Sequence, residues 1–595
     1  MGDVTINSPD AANAIYPGNP TLFNGSQTLG SLANFNLSDG TPITIQGNTI
    51  ATVDVRAGVN WAALGGFPTP DPTVLGAVIP TITPATSANI TVNGTIDNQN
   101  STGLVLLTNQ FQPNTATGNI VVGVILTSLN STVPVLIDSR GDFTLTPGTR
   151  IDTSTQNVAG GDIRILAQGE VALDQVLLDS TTSGISRGGS IIISARSLLA
   201  NRARLDASSF GDGDAGNIQI TTRDRVLLDN SRVSSTVGNG IGNGGAIEVF
   251  TSTLNLTNGA VLNNSVGNDT TLGQGNAGNV TVRADQLSIT GGSGIYSSVF
   301  KGRGNAGNVE ITVTGTTRLS GNNSEIEGLV GVGGIGNSGN LDIRTGSLVI
   351  ADGAQLEFST FGRGNAGNVT INATNGVFLE NGNIQSNVES GAVGNAGNLV
   401  INTPIFSMTS PGSSTINTRI KGRVEENGTG DGGDITINAQ TALIDNSAIS
   451  FPTSGKGNAG ILTINAQDLT LRSDAAIVGD VGSGGQGIGG DISLNVTGRL
   501  LIDGATDPGV NIAGSGESTR ITAGIGLGGS GQGGNVAIQA GSFELQNGAI
   551  IKNSTRGQGA AGDIQITAGS VDISGSVSQS GLRTNILTDT ETAFR

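Results

Sequence analysis

The stretch KGRGNAGNVEI (301–311) returns sixty residues later as FGRGNAGNVTI (361–371). A chain repeats itself this closely when each copy occupies the same station in a stacked structure, because solenoid coils bury their apolar faces only against neighbours of like shape. The pattern Gly, any residue, aliphatic, any residue, aliphatic begins at Gly161, Gly189, Gly216, Gly245, Gly278, Gly307, Gly339, Gly367, Gly397, Gly433, Gly460, Gly490, Gly534 and Gly562. Most intervals are 27–33 residues, with longer ones of 36 and 44. Four residues after each glycine stands Ile, Val or Leu, as in Ile311, Ile343, Ile371 and Ile401. Aliphatics alternate there with Thr, Gln or Glu, the period-two signature of a half-buried strand.

Thirteen residues after each glycine comes a polar residue or a glycine, as a turn requires. An aliphatic run usually precedes it (SLVI, 347–350) and a third apolar run often follows (AQLEF, 354–358). Each repeat therefore reads strand, turn, strand, turn, strand, loop, with length variation in the last loop. The fold class expected is all-β: a parallel β-helix of about twenty coils with three short strands per coil, from repeats near thirty residues. Gly and Asn at the corners are expected to supply left-handed backbone. The residue after the anchor glycine is Asn279, Asn308, Asn340, Asn368, Asn398, Asn217 or Asn535, with Asp162, Asp434, Asp491 and Asp563 in other copies. These positions are expected to form a ladder of amides along the axis.

Residues 1–150 differ. They hold twelve of the sixteen prolines and the only tryptophan, Trp61. YPGNP (16–20) and GGFPTPDPTVLG (65–76) read as loops, and TPITI (41–45), ATVDV (51–55), ANITV (88–92) and GLVLL (103–107) as strands. The expected division is 1–150, less regular coils with loop excursions, and 151–595, regular β-helix. Because GDVTIN (2–7) begins on a coil and ILTDTETAFR (586–595) lacks a cap, the chain is expected to be a fragment of a longer one.

Composition narrows the chemistry. The net charge of −18 disfavours nucleic acid, which needs a basic surface. No run approaches eighteen apolar residues, so no membrane span is expected. With neither His nor Cys, His-based triads, Cys nucleophiles and His- or Cys-ligated zinc are excluded. Paired carboxylates remain open, since glycan cleavage needs only an acid and a base or nucleophile. Asp174, Arg202 and Asp229 are expected on successive coils at one corner, as a salt-bridge row or, alternatively, a catalytic pair. Asp352 with Glu380, and Asp212 with Asp214 in GDGDAGN (211–217), are candidates for weak Ca²⁺ binding or plain solvated turns. Trp61, Tyr16 and Tyr296 are packing residues or sugar-stacking platforms. Phe210, Phe300 and Phe361 close the third strands as corner packing or a binding stripe. None of these is assigned as a catalytic, cofactor or metal residue, and no cofactor is expected beyond weak Ca²⁺.

The GxGNAGN corners before VTI strands, with DGAQLEFST (352–360) and VDVRAGVNWAALGG (53–66), resemble the filamentous haemagglutinin-like exoproteins of Gram-negative bacteria. The resemblance covers nearly the whole chain. It implies a right-handed parallel β-helix, two-partner secretion through an outer-membrane barrel transporter, and a secreted or cell-surface adhesin without enzymatic activity. Its partners would be host or environmental surfaces, glycans or cell-surface proteins, with no nucleic acid and no integral membrane segment. The family's Asn-Pro-Asn-Gly and Asn-Pro-Asn-Leu export motifs are absent; GNPTLFNG (18–25) does not match them. Two alternatives stand beside the adhesin: a polysaccharide-cleaving β-helix enzyme and a Ca²⁺-stabilised surface-layer or matrix protein.

Overall fold

Alternating aliphatic and polar residues produce strands, and strands thirty residues apart in sequence pair in parallel. The computed structural model describes residues 4–7, 33–36, 42–45, 53–56, 89–98, 104–109, 118–127, 132–267, 272–411, 418–504, 519–575 and 584–588. All regular secondary structure among them is β. Contacts divide the chain into two compact units, Met1–Ala284 and Asp285–Arg595. Each is a parallel β-solenoid, with about 15 turns between them. That is fewer than the twenty expected from a uniform thirty-residue repeat. Among the described residues, those before residue 89 form four short strands, and two coils are lengthened to 36 and 44 residues.

In the second unit, Leu341–Ala351 pairs in parallel with Val309–Ser320 on one side and Val369–Glu380 on the other. Matching residues stack in register, so Ile311, Ile343, Ile371, Ile401, Ile437, Ile464, Leu494 and Ile538 form one internal column. Every member is buried. A second column, Ile326, Leu356, Ile384, Ile420, Ile449, Ile477, Ile521 and Ile551, comes from the short third strands. Burying one such side chain contributes on the order of 2–3 kcal/mol, so the stack of columns is the principal stabilising element. The first turn expected within each repeat is, in several coils, only a bulge: Val309–Ser320 and Leu341–Ala351 run on as single strands with a register shift between Val313 and Thr316. The second turn is a true corner, with left-handed backbone at Asp352, Asn381, Asn446 and Asn547.

The first unit follows the same plan. Ile137, Ile165, Ile193, Ile220, Val249 and Val282 form its column. Pairing extends to Val4–Asn7, parallel to the start of Ile90–Asn98. Two pairings among the described residues are antiparallel, both made by Ala33–Asn36: one with Pro42–Ile45 and one with Val4–Asn7, where Asn36 meets Asn7.

The GNAGN corner explains itself differently from the expectation. The anchor glycines do not have left-handed backbone. A Cβ on Gly367 would collide with the carbonyl oxygen of Gly339, and one on Gly397 with that of Gly367. Close approach of stacked backbones excludes every side chain there. The preceding glycine of the motif is the conformational one, as at Gly336 (φ 148°) and Gly364 (φ 139°). Both asparagines form ladders, but mainly by accepting backbone donors. Asn308 Oδ1 accepts the Asn340 N–H (2.9 Å), Asn340 that of Asn368 (2.9 Å), and Asn368 that of Asn398 (2.8 Å). The other asparagine repeats this along Asn305, Asn337, Asn365 and Asn395. Only an acceptor is needed, which is why Asp434 and Asp491 serve equally well. The amide-to-amide ladder lies elsewhere, within the first strand. Asn402 Nδ2 donates to Asn372 Oδ1 (2.8 Å), and Asn438, Asn465 and Asn495 continue the series at 2.7–2.9 Å.

The variable loop before each anchor is itself ordered into a fourth line of pairing. In the first unit Gly240–Ile241 pairs with Gly273–Gln274. In the second, Gly302–Arg303 pairs with Gly334–Ile335, and single bridges continue through Arg363, Val393, Thr429, Lys456 and Gln486.

Candidate functional site

The expected Asp174–Arg202–Asp229 row does not form. Asp174 and Asp229 each pair with Asn201, and Arg202 falls one residue later, in the left-handed turn (φ 49°). The coil between them is one residue shorter at a bulge between Ala195 and Ser197, so counting from the glycine slips by one. Asn201 Nδ2 donates to Asp174 Oδ1 (2.7 Å) and Asn258 Nδ2 to Asp229 Oδ1 (2.6 Å). Asp352 and Glu380 are offset for the same reason, since Glu380 pairs with Ala351. Asp352 Oδ2 instead accepts the Ser320 hydroxyl (2.6 Å).

Asp212 and Asp214 sit in the loop line, where Oδ1 of each accepts a backbone N–H of the next coil, from Ile241 (3.0 Å) and Asn243 (2.6 Å). Phe210 is 44% exposed and lies over Gly238, as corner packing. Phe300 and Phe361 are half-buried at equivalent corners, and the Tyr296 ring lies against Gly294. Trp61 and Tyr16 lie outside the described residues.

Stacking brings together carboxylates that a linear reading missed. In the first unit Asp152, Asp179 and Asp206 end three successive third strands in register. Strand spacing puts neighbours ~4.8 Å apart, near the separation of a retaining glycosidase pair. Their hydrogen bonds assign them a different task. Oδ1 of each accepts the N–H two residues on, from Ser154 (3.1 Å), Thr181 (3.0 Å) and Ser208 (3.1 Å), an Asx turn that rounds the corner. Arg204 pairs with Asp206, and Arg150 with Asp152 at 3.4 Å. Burial raises the pKa of Asp179 against the hydrogen bonds from Thr181, and Asp152 and Asp206 push it the same way as burial. The signal available in the sequence was the recurring Asp-x-Ser/Thr triplet at 152–154, 179–181 and 206–208.

The third-strand face of the second unit carries several strongly perturbed groups. Glu327 and Glu357 stack in register, followed by Gln385 and Lys421 on the next two coils. Both glutamates are only 8% exposed. Burial pushes the Glu327 carboxyl up to about 8, opposed by the Ser298 hydroxyl (2.8 Å) and reinforced by Glu325 and Glu357. Glu357 is pushed up to about 7, chiefly by burial and by Glu389, with Gln385 and Lys421 pulling it down. Burial lowers the pKa of Lys421, helped by Arg423 and Arg419.

Farther along the same face a cleft of about 310 Å³ opens over three coils, lined by Asp480, Arg520, Thr522, Lys552, Ser554 and Arg556, with apolar walls from Val478, Ile525 and Ile550. Asp480 Oδ1 accepts the Gly524 N–H (2.7 Å) and Oδ2 the Thr522 hydroxyl (3.0 Å). Burial raises its pKa, while those two hydrogen bonds and the charges of Arg520 and Lys552 counteract the rise. Among the described residues no three acidic side chains converge where a cation could sit. Family models, curated proteins and solved structures yield no match to this chain.

Proposed function

We propose that the chain is a secreted or surface-displayed, adhesin-like structural β-helix without enzymatic activity, similar to the filamentous haemagglutinin-like exoproteins and exported as they are. The observation that carries this reading is the fourth line of pairing in the second unit. Arg303, Ile335, Arg363, Val393, Thr429, Lys456 and Gln486 are all exposed, one per coil, and held in parallel register. Loops that bridge to their neighbours have already lost the entropy that contact with a surface would otherwise cost. A row of weak contacts at strand spacing then gains avidity without any strong single site.

Particles coated with the purified chain and passed over protein- and glycan-coated surfaces under flow test the reading. The wild type should be retained, and an R303E/R363E/K456E variant with unchanged circular dichroism should be released. A wild type retained by no surface would refute the adhesin, and a fully retained variant would refute this face. New reducing ends released from a panel of acidic and neutral glycans would overturn the absence of catalysis.

A further inference from the structure

The cleft over residues 478–556 is unlike the rest of an acidic chain. Among the described residues that line it, three side chains are cationic and one is acidic, whereas the whole sequence carries 28 Lys and Arg against 46 Asp and Glu. The charges come from different coils: Asp480 follows one third strand, Arg520 begins the next, Lys552 ends the one after, and Arg556 lies four residues beyond. Val478, Thr522 and Lys552 are in register, so the floor of the cleft is a rigid ladder. The volume of about 310 Å³ lies at the lower end of the range for ligand sites, room for one small ring.

We propose that this cleft binds one uronate residue of an acidic polysaccharide, with Arg520, Arg556 and Lys552 meeting the sugar carboxylate and Asp480 accepting from a ring hydroxyl. The proposal deepens the adhesin reading by naming a ligand class, and rests on it for biological use but not for binding. A planar guanidinium matches a carboxylate in two parallel hydrogen bonds, which favours uronate over a neutral sugar. Each Asp480 carboxylate oxygen accepts one donor, Oδ1 the Gly524 N–H and Oδ2 the Thr522 hydroxyl, and a carboxylate has about four acceptor positions. The buried Ser554 and the half-buried Thr522 also line the cleft.

Calorimetry on the full chain tests the proposal with oligogalacturonate, a neutral galactose oligomer of equal length, and a sulfated neutral oligomer. Uronate should bind, weaken with salt, and exceed the neutral oligomer by about tenfold or more. R520Q/R556Q should lose about tenfold, and K552Q less. R499Q, at an exposed ion pair with Glu544 elsewhere, should match the wild type. Equal binding of uronate and neutral oligomers, stronger binding of the sulfated one, or full uronate affinity in both R520Q/R556Q and K552Q would overturn the proposal. If uronate binds through the cleft while coated particles adhere to nothing, the adhesin reading fails and the cleft stands. If particles adhere but no uronate binds, only the cleft fails.

Discussion

Replacing Glu327 by Gln isolates one strong electrostatic effect in the fold. The folded carboxyl titrates near 8, against 4.5 for an ordinary glutamate, because it is 8% exposed and has Glu325 and Glu357 as neighbours. The native state therefore holds a proton that the unfolded chain releases above pH 4.5. Stability from this group is fully present below that value and falls as pH rises towards 8. At 1.36 kcal/mol per pH unit, the loss is about 5 kcal/mol for Glu327 and about 3 kcal/mol for Glu357. An amide keeps the shape and cannot ionise, so E327Q should match the wild type near pH 4 and exceed it by several kcal/mol at pH 9.

Hydrogen exchange on the full chain localises the effect. Protection of amides around 325–329 and 355–361 should fall in the wild type between pH 5 and 9, after correction for intrinsic exchange, and E327Q should lose the larger part of that fall. Protection in the first unit serves as internal control. Wild-type protection that stays level over this range, or an E327Q slope equal to the wild type's, would refute the buried-carboxyl argument.

Three further outcomes follow from the stacking geometry. Gly367→Ala should destabilise by more than about 3 kcal/mol, since Gly339 O occupies the Cβ position; Gly391→Ala, at an open site with φ 76°, should cost about 1–2 kcal/mol. Urea unfolding distinguishes them, and equal effects would discount close approach. Asn368→Asp should be nearly neutral because that position only accepts from a backbone N–H, whereas Asn438→Asp breaks an amide ladder at a donor and should cost about 1–3 kcal/mol. Similar thermal shifts for the two would contradict the distinction. Ile371→Ala, fully buried between Ile343 and Ile401, should cost about 2–5 kcal/mol by denaturant midpoint, and a change below 1 kcal/mol would argue against the column.

The local elements were open to reading from the chain alone. Period-two alternation after each glycine identified the strands, and the repeat interval identified parallel stacking, because both depend only on residues near in sequence and on their recurrence. Polar residues thirteen positions on marked the corner for the same reason. Lateral register depended on more. A single bulge near Ala195 moves Arg202 out of line with Asp174 and Asp229, and no local pattern announces it. The anchor glycines were recognised, but their cause, the carbonyl of the coil beneath, exists only once coils stack. Burial of Glu327, the Asp152–Asp179–Asp206 column and the cleft of Asp480, Arg520, Lys552 and Arg556 likewise arise from contacts between residues about thirty to forty positions apart. Sequence determines which residues each coil offers; the stacking of backbones decides which charges meet, because desolvation and Coulomb interaction depend on distance in space and not along the chain.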